Sequence, residues 1–369
     1  MCIRDRLKIY YPKKATSQNA NQGAAFSAHA EITSAKAPTV SNLAKAILAN
    51  NEVKAPLTTP GAAISTADEA LLASAEDDYG TSYYFRGAVT NNYVEFANKC
   101  WRIVRVSGDG SVKLILHNDN PTGAANPCDA ANNSASAAFA RYSGETYKSA
   151  FNEKTDDNAY LGFMYGAAGA TDYASTHANT NKSTILTNLE TWYNNNISDY
   201  ADKIADTVWC NDKTIVKDTT YNPSSYGGNA TGLGFGINKT WYGAAQRLLS
   251  TSGSAGGTGP SLKCNGDLSK INSKVGLITA DELAFAGYAY GLENSTTYLQ
   301  ENATDTYWCS LSPGLFNGSY ALVWYIIGSS GDFAHVYVFY TSGVRPSISL
   351  KSTTNVTGNG TSEDPYVVE

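Results

Sequence analysis

The chain has 369 residues, of which 27 are basic and 33 acidic, giving a formal net charge of −6. This length suits one large domain or two ordinary ones, and the lack of a basic excess argues against nucleic acid as a partner. No stretch approaches the ~20 apolar residues that a membrane helix needs, so we expect no span. Charged residues are only 16% of the chain. The 25 tyrosines are of interest because Tyr gives recognition surfaces a large contact area at low entropic cost.

The first 78 residues differ in composition from the rest of the chain. Residues 1–6, MCIRDR, resemble translated sequencing-adapter read-through, so we expect the true N-terminus, and an anchor with it, to be missing. Residues 7–78 are rich in Ala, Ser, Thr and Asn. One amphipathic helix is predicted within them, over Ser41–Asn50. The composition indicates an N-terminal stalk ahead of a globular domain.

The globular domain is predicted to run from residue 79 to residue 350. Its first strong signal is a β-hairpin, in which the alternating runs 101–106 and 112–116 flank a Gly-Asp-Gly turn at 108–110. An Asp-Gly pair between alternating runs is a strong hairpin signal.

Three helices are predicted in the middle of the domain. Ser183 caps the first, over 184–195. The second lies within 240–250, and the third begins with Thr279 and Glu282 at capping-box spacing, directly after a short strand at 275–278.

Strands resume in the last part of the chain, from Tyr307 to about Leu350. The polar tail, residues 351–369, is expected to add one edge strand at Tyr366–Val368. Strands from both ends of the domain thus enclose the helices, which indicates an α+β fold.

Five cysteines remain once residues 1–6 are set aside, and none forms a CxxC pair. No His stands at zinc-ligand spacing either, so we expect no structural zinc. Pairing Cys100 with Cys128 stabilises by about 3–4 kcal/mol in the chain-entropy model, and pairing Cys210 with Cys264 by about 4 kcal/mol. We expect these two disulfides and an exported protein, with Cys309 unpaired. The alternative is five free thiols in a reducing cytosol.

The segment Ser319–Pro346 predicts a strand, a turn at 328–331 and a second strand. Neither strand alternates between apolar and polar side chains, because both alternate sets are apolar or aromatic. Such a pattern is typical of strands buried on both faces. It is also expected where one face is displayed as an interaction surface.

No catalytic motif is recognisable in the sequence: GxSxG, P-loop, HExxH and dinucleotide fingerprints are absent. Asp156 and Asp157 could act as calcium ligands or glycosidase carboxylates, but a solvated turn is the simpler interpretation. Arg345 follows Gly343, which permits unusual backbone conformations, and precedes Pro346. We expect it to be a structural arginine bonded to backbone carbonyls or a carboxylate. No metal and no cofactor are predicted.

These pieces together resemble a known family. The run VGLITADELAFAG, residues 275–287, is similar to the strand-then-helix element of C-type-lectin-fold proteins related to formylglycine-generating enzymes. Residues 307–346 are similar to their C-terminal region, which closes with Gly-Val-Arg or Gly-Phe-Arg. The segments YYFRGAVTNNYVEFANKCWRIVRV, GLGFGINKTWYGAAQRL and GVRPSISLKS resemble exported bacterial proteins of this architecture. The resemblance covers about residues 79–369 and implies a C-type-lectin-like domain.

Relatives of this kind include targets of diversity-generating retroelements, whose altered C-terminal codons form a ligand-binding face on a fixed scaffold. The resemblance therefore implies a surface-displayed, non-enzymatic adhesin or receptor for an unknown protein or glycan on another cell or surface. The predicted ligand-binding residues are Leu315, Asn317, Leu322, Tyr325, Ile327, His335, Tyr337, Phe339 and Tyr340. Trp324, Gly343 and Arg345 are predicted to be structural.

The sequence departs from two branches of this family. No two cysteines match the C-terminal motif that the sulfatase-modifying enzymes use for copper-dependent oxidation, and the calcium motifs of animal C-type lectins are missing. Two alternatives nevertheless stay open. The chain could be an oxidase-like or glycosidase enzyme, or a structural surface or pilus-tip subunit that self-associates through strands at 320–340.

Overall fold

The computed structural model describes residues 41–142, 145–146, 148–223 and 230–369. The predicted segment 1–6 and the stalk residues 7–40 lie outside the described residues. The described chain is mixed α+β and rich in β-structure, with few helices. The predicted α+β class is therefore confirmed, while the specific C-type-lectin-like fold stays a prediction.

The described α-helices have 5 to 13 residues. They are α1 (Leu43–Asn50), α2 (Tyr173–His177), α3 (Thr184–Asn196), α4 (Gly243–Leu248) and α5 (Ala280–Ala286). Their starts confirm the predicted caps: the Ser183 hydroxyl accepts a hydrogen bond from the backbone of α3, and Thr279 and Glu282 form a capping box at α5.

The described strands are mostly short and extend from Ser41 to Val368. In chain order, the first ten are β1 (Ser41–Asn42), β2 (Ala70–Asp77), β3 (Gly80–Gly87), β4 (Tyr93–Phe96), β5 (Lys99–Val106), β6 (Val112–Asn118), β7 (Arg141–Tyr142), β8 (Glu145–Thr146), β9 (Lys148–Ser149) and β10 (Met164–Tyr165). The others are β11 (Asn181–Lys182), β12 (Thr207–Cys210), β13 (Thr240–Trp241), β14 (Lys270–Ser273), β15 (Trp308–Phe316), β16 (Ala321–Ile326), β17 (Phe333–Tyr337), β18 (Ser342–Gly343), β19 (Ser347–Leu350), β20 (Asn355–Thr357) and β21 (Tyr366–Val368).

Strand β5 is the centre of the larger, nine-stranded sheet. It pairs with β6 along one edge, as the predicted hairpin requires, and with β4 and β3 along the other. The sheet continues from β4 through β21 and β20 to β1, from β3 to β2, and from β6 to β19. Strands from both ends of the described chain therefore meet in one sheet.

Residues 41–78 belong to the domain, so the predicted boundary at residue 79 is wrong. Strand β2 pairs with β3 along its whole length, and Leu43 and Ile47 of α1 are buried in the main core. The polar, alanine-rich composition of the segment obscured these short apolar runs. The predicted tail strand β21 exists, but it lies between β20 and β4 instead of at an edge.

The smaller sheet has the order β17, β16, β15, β18, β9, with β13 also pairing with β15. It contains the predicted strand pair, although the second strand ends at Tyr337 and the chain then turns.

The prediction of a strand at 275–278 is wrong. Strand β14 precedes it, and Gly276 makes only a single bridge to Ser347. There the chain crosses the Trp209 ring, where a Cβ on Gly276 would lie 2.4 Å from a ring carbon.

The three predicted structural residues are buried. Arg345 donates hydrogen bonds to the carbonyls of Leu116 and Leu299, which confirms the predicted bonding to backbone carbonyls. Gly343 does not use the backbone freedom that glycine permits, because its φ is not positive. Glycine is needed there because a Cβ would lie 2.6 Å from the Phe139 ring. Trp324 is fully buried in the core.

Both predicted disulfides are present. Cys100 of β5 is bonded to Cys128, and Cys210 of β12 is bonded to Cys264. Each bond ties a sheet strand to a segment without regular secondary structure. Cys309 in β15 is the free cysteine among the described residues.

Replacing Cys100 and Cys128 together with Ser should lower the free energy of unfolding by about 3–4 kcal/mol, because the unfolded chain regains the entropy of the opened loop. Denaturant titration of the variant against the wild type measures the loss. Reduction of the wild type is the control and should destabilise it further, since it opens both disulfides. An unchanged free energy of unfolding would contradict a structural role for this bond.

Candidate binding surface

The middle of the strand pair β16–β17 is buried on both faces. Leu322 pairs with Tyr337 and Trp324 with His335, and in β16 only Tyr325 is not fully buried. Leu315, Leu322 and His335 are all buried. The prediction that these three belong to an exposed face is therefore wrong, because core side chains pack against both sides of the strands.

The other predicted residues separate toward the two ends of the strand pair. Tyr325 and Ile327 are half-buried near the turn, and the Tyr325 ring meets the exposed Tyr307 edge-to-face at 5.6 Å. Tyr337, Phe339 and Tyr340 lie at the opposite end, in the last residue of β17 and the turn after it. The predicted residues therefore do not form one continuous face.

Four rings form an exposed cluster at that opposite end. Tyr320, Phe339 and Tyr340 are 44%, 38% and 45% exposed, and Tyr337 is half-buried between them. We call Tyr320, Tyr337, Phe339 and Tyr340 the aromatic cluster. The prediction omitted Tyr320, although its position directly before β16 was a visible signal.

The rings of the aromatic cluster contact one another. Tyr337 lies 5.2 Å from Tyr320 and 5.6 Å from Phe339 between ring centroids, and the second pair is nearly parallel at 16°. Tyr340 meets Phe339 edge-to-face at 4.9 Å. Stacked and edge-to-face pairs at these distances are favourable beyond the area that they bury.

Hydrogen bonds fix the backbone that carries the rings. The Asn317 side-chain oxygen accepts from the backbone N–H groups of Ser319 and Tyr320 at 2.9 and 2.8 Å. The N–H of Tyr340 donates to the Tyr337 carbonyl at 3.0 Å. Asn317, a predicted ligand residue, therefore uses its carbonyl oxygen to shape the turn.

His335, two residues before Tyr337 in β17, is surrounded by aromatic rings. Trp324, Tyr290 and Trp241 lie 4.1, 5.3 and 5.9 Å from it between centroids. Neither ring nitrogen has a hydrogen-bond partner among the described residues. Burial lowers the pKa of His335 to about 3, so the imidazole is neutral near pH 7.

A separate group of charged side chains joins α5 to the larger sheet. Glu282 lies 2.9 Å from Arg105 and 2.7 Å from Lys113. Burial alone would raise the pKa of Glu282, but these two cations lower it to about 2. Nearby, Arg247 bridges Asp212 and Asp281. Because every one of these charges has an opposite partner, the group acts as a structural ion network.

Two residues that the enzymatic alternatives would use, Asp157 and Cys309, have structural partners. The Asp157 carboxylate accepts from the backbone N–H groups of Ala159 and Gly169 at 2.8 and 2.9 Å, which caps a turn. Cys309 lies 3.4 Å from the Ser342 hydroxyl. Burial raises the pKa of its thiol to about 11, which keeps it protonated and unreactive at neutral pH.

Comparison of the chain with protein-family models, with curated proteins and with solved structures finds no match. None of the helices in the described part of the chain is long and apolar enough to cross a membrane.

The buried histidines should make the fold less stable in mild acid. Burial lowers the pKa of His177 and His335 to about 3 and that of His117 well below its usual range, whereas an unfolded His titrates near ~6.5. Between these values the unfolded chain binds more protons than the folded chain. The free energy of unfolding is therefore highest above pH ~6.5. It falls as the pH decreases below this value, by at most about 1.4 kcal/mol per pH unit for each His. Urea titrations at several pH values measure the slope.

The variant His335→Leu is the control for this pH dependence. It removes one proton-binding group from the unfolded chain, so its free energy of unfolding should fall less steeply than that of the wild type between about pH 6.5 and 5. Parallel slopes for the two proteins would contradict a neutral, buried His335.

Proposed function

We propose that this chain is a non-enzymatic binding protein, displayed outside the cell, that recognises a protein or glycan through the aromatic cluster. The observation that carries the proposal is the cluster itself: four rings in mutual contact, three of them more than a third exposed, on a backbone fixed by hydrogen bonds. A C-type-lectin-like domain remains the fold that we propose for it.

The energetics of the aromatic cluster favour binding over a purely structural role. Exposed apolar patches cost free energy in water and usually mark interaction sites. Tyr side chains in particular supply large contact areas and hydroxyl groups at a low entropic cost. Because the rings already support one another, a ligand would lose little free energy in ordering them.

Two further observations support an exported, non-enzymatic protein. Disulfides such as Cys100–Cys128 and Cys210–Cys264 persist mainly in oxidising compartments. The buried, protonated Cys309 gives no support to copper-dependent or thiol chemistry.

Self-assembly through strand edges has less support than ligand binding. Strand β17 ends the smaller sheet, but Tyr290 bridges to Phe333, and the N–H of Gly291 donates to the Phe333 carbonyl at 2.8 Å. This covers part of the edge that a structural subunit would use to add a neighbouring strand.

The same surface is where hypervariability would fall if the chain were a retroelement target. Sequencing the gene and its flanking DNA across the source population tests this part of the proposal. Variation concentrated at the codons of Tyr320, Tyr337, Phe339 and Tyr340, with a near-copy beside a reverse transcriptase, would support it. Variation concentrated instead at codons for buried core residues would contradict it.

The double variant Tyr320→Ser/Tyr340→Ser tests the proposed function. Ligands are first identified by screening the full chain on glycan and protein arrays. Loss of two exposed contact rings should then weaken binding by about tenfold or more. The melting temperature should change little, because both rings are more than two fifths exposed and their ring contacts lie within the surface cluster.

The variant Tyr79→Ser is the matched control, since Tyr79 is 58% exposed in the β2–β3 turn outside the aromatic cluster. It should bind like the wild type. Unchanged binding by the double variant would refute the proposed surface. A large drop in its melting temperature would show instead that the two rings stabilise the fold.

A further inference from the structure

The loop before β13 alternates glycine with large apolar residues. Its sequence, GLGFGIN at 232–238, has left-handed backbone at Gly232, Gly234 and Gly236, with φ of +65°, +70° and +55°. L side chains rarely adopt this conformation, so the glycines are required. We call residues 232–238 the apolar loop.

Two of the three apolar side chains of this loop are exposed to solvent. Ile237 is 72% exposed, more than any other large apolar side chain in the described part of the chain, and Leu233 is 46% exposed. Phe235 between them is half-buried. At Gly234, by contrast, a Cβ would lie 2.7 Å from Ile215. The glycine backbone thus packs on the protein while the intervening side chains reach solvent.

Buried polar groups hold the apolar loop in place. The Asn158 amide donates to the carbonyls of Gly236 and Asn238, both at 2.8 Å, and its oxygen accepts from the Tyr242 hydroxyl at 2.7 Å. The neutral His177 ring bonds the Gly234 carbonyl through Nε2 at 2.8 Å. The loop is therefore preorganised rather than collapsed onto the surface.

The apolar loop lies at the same end of the smaller sheet as the aromatic cluster. The segment Thr155–Asn158 joins the two: the Thr155 carbonyl accepts from Ala321 beside Tyr320, and the Asn158 N–H donates to the Gly236 carbonyl. One four-residue segment therefore contacts the backbone of both surfaces, which makes them neighbours.

Carboxylates border the apolar loop. Asp156 precedes its anchor Asn158, Asp172 caps the helix whose Tyr173 packs against Gly234, and Asp218 follows Lys217, whose Cα approaches Gly232. All four charged side chains are exposed. Three of these exposed charges are negative and one is positive, the exposed Glu153 and Lys154 beside Asp156 offset each other, and Lys239 directly after the loop is buried, so the exposed border is acidic.

We infer that the partner is a protein with an apolar groove bordered by Lys or Arg, into which the apolar loop inserts Ile237 and Leu233. This inference rests on the proposed function, since the same partner would cover the aromatic cluster. The acidic border complements basic residues and promotes their encounter. It also disfavours a second copy of this chain, whose net charge is −6.

The chemistry of the loop favours protein over the other occupants. Bare aliphatic side chains offer no hydrogen bonds to sugar hydroxyls. Anionic lipid surfaces attract basic rather than acidic segments. A loop fixed by buried hydrogen bonds matches a groove of defined shape, because preorganisation lowers the entropic cost of association.

The test uses the full chain and a displayed random-peptide library. Peptides enriched on the wild type are synthesised, and their dissociation constants are measured against the wild type, Ile237→Ser, and Tyr320→Ser/Tyr340→Ser. The enriched peptides should combine Lys or Arg with apolar residues. They should bind Ile237→Ser about tenfold or more weakly and lose affinity as salt is added. Leu57→Ser is the matched control, since Leu57 is 68% exposed in another segment, and it should bind like the wild type.

The outcomes separate this inference from the proposed function. Peptides or glycans that depend on Tyr320 and Tyr340 but bind Ile237→Ser normally would overturn the inference and leave the proposed function intact. Binding that neither variant weakens would overturn both. Zwitterionic phosphatidylcholine vesicles are tested in parallel, and cosedimentation that is lost in Ile237→Ser would identify lipid instead of protein as the occupant.

Discussion

Burial of both faces of the strand pair β16–β17 is the constraint on which the account of this protein depends. Leu322, Trp324 and His335 are enclosed by the core, so ligands cannot reach the middle of these strands. Side chains gain access to solvent only where the strands end. The aromatic cluster lies at one of these ends. Tyr320 directly precedes β16, Tyr337 is the last residue of β17, and Phe339 and Tyr340 lie in the turn that follows.

Buried supports also explain why the exposed apolar side chains can remain ordered. The aromatic cluster extends directly from a buried strand pair. The apolar loop is held by hydrogen bonds from Asn158 and His177, which are themselves buried. Apolar side chains that are free to move would collapse onto the surface to escape water. Here the backbone is held by hydrogen bonds, so the rings and the side chains of Leu233 and Ile237 stay accessible to a partner.

Much of the local structure could be predicted from the sequence, because its causes are local. The caps at Ser183 and Thr279 need only neighbouring residues, and the hairpin of β5 and β6 is marked by its turn. The predicted domain boundary at residue 79 was wrong because β2 belongs to the sheet through its pairing with β3, and composition does not reveal such pairing.

The prediction of the binding surface was partly wrong for a related reason. Which face of a strand is buried depends on what packs over it, and a uniformly apolar strand carries no alternation to indicate this. The apolar loop was missed because its glycines read as ordinary loop residues. Its function-related features are the left-handed backbone and the contacts from the distant Asn158, which exist only in three dimensions.

The central claim is that a ligand covers the aromatic cluster. The most direct test is the structure of the full chain bound to the first ligand found by array or library screening. The account predicts ligand atoms within about 4 Å of the Tyr320 and Tyr340 rings. A ligand bound elsewhere, with all four rings of the cluster still open to solvent, would contradict it.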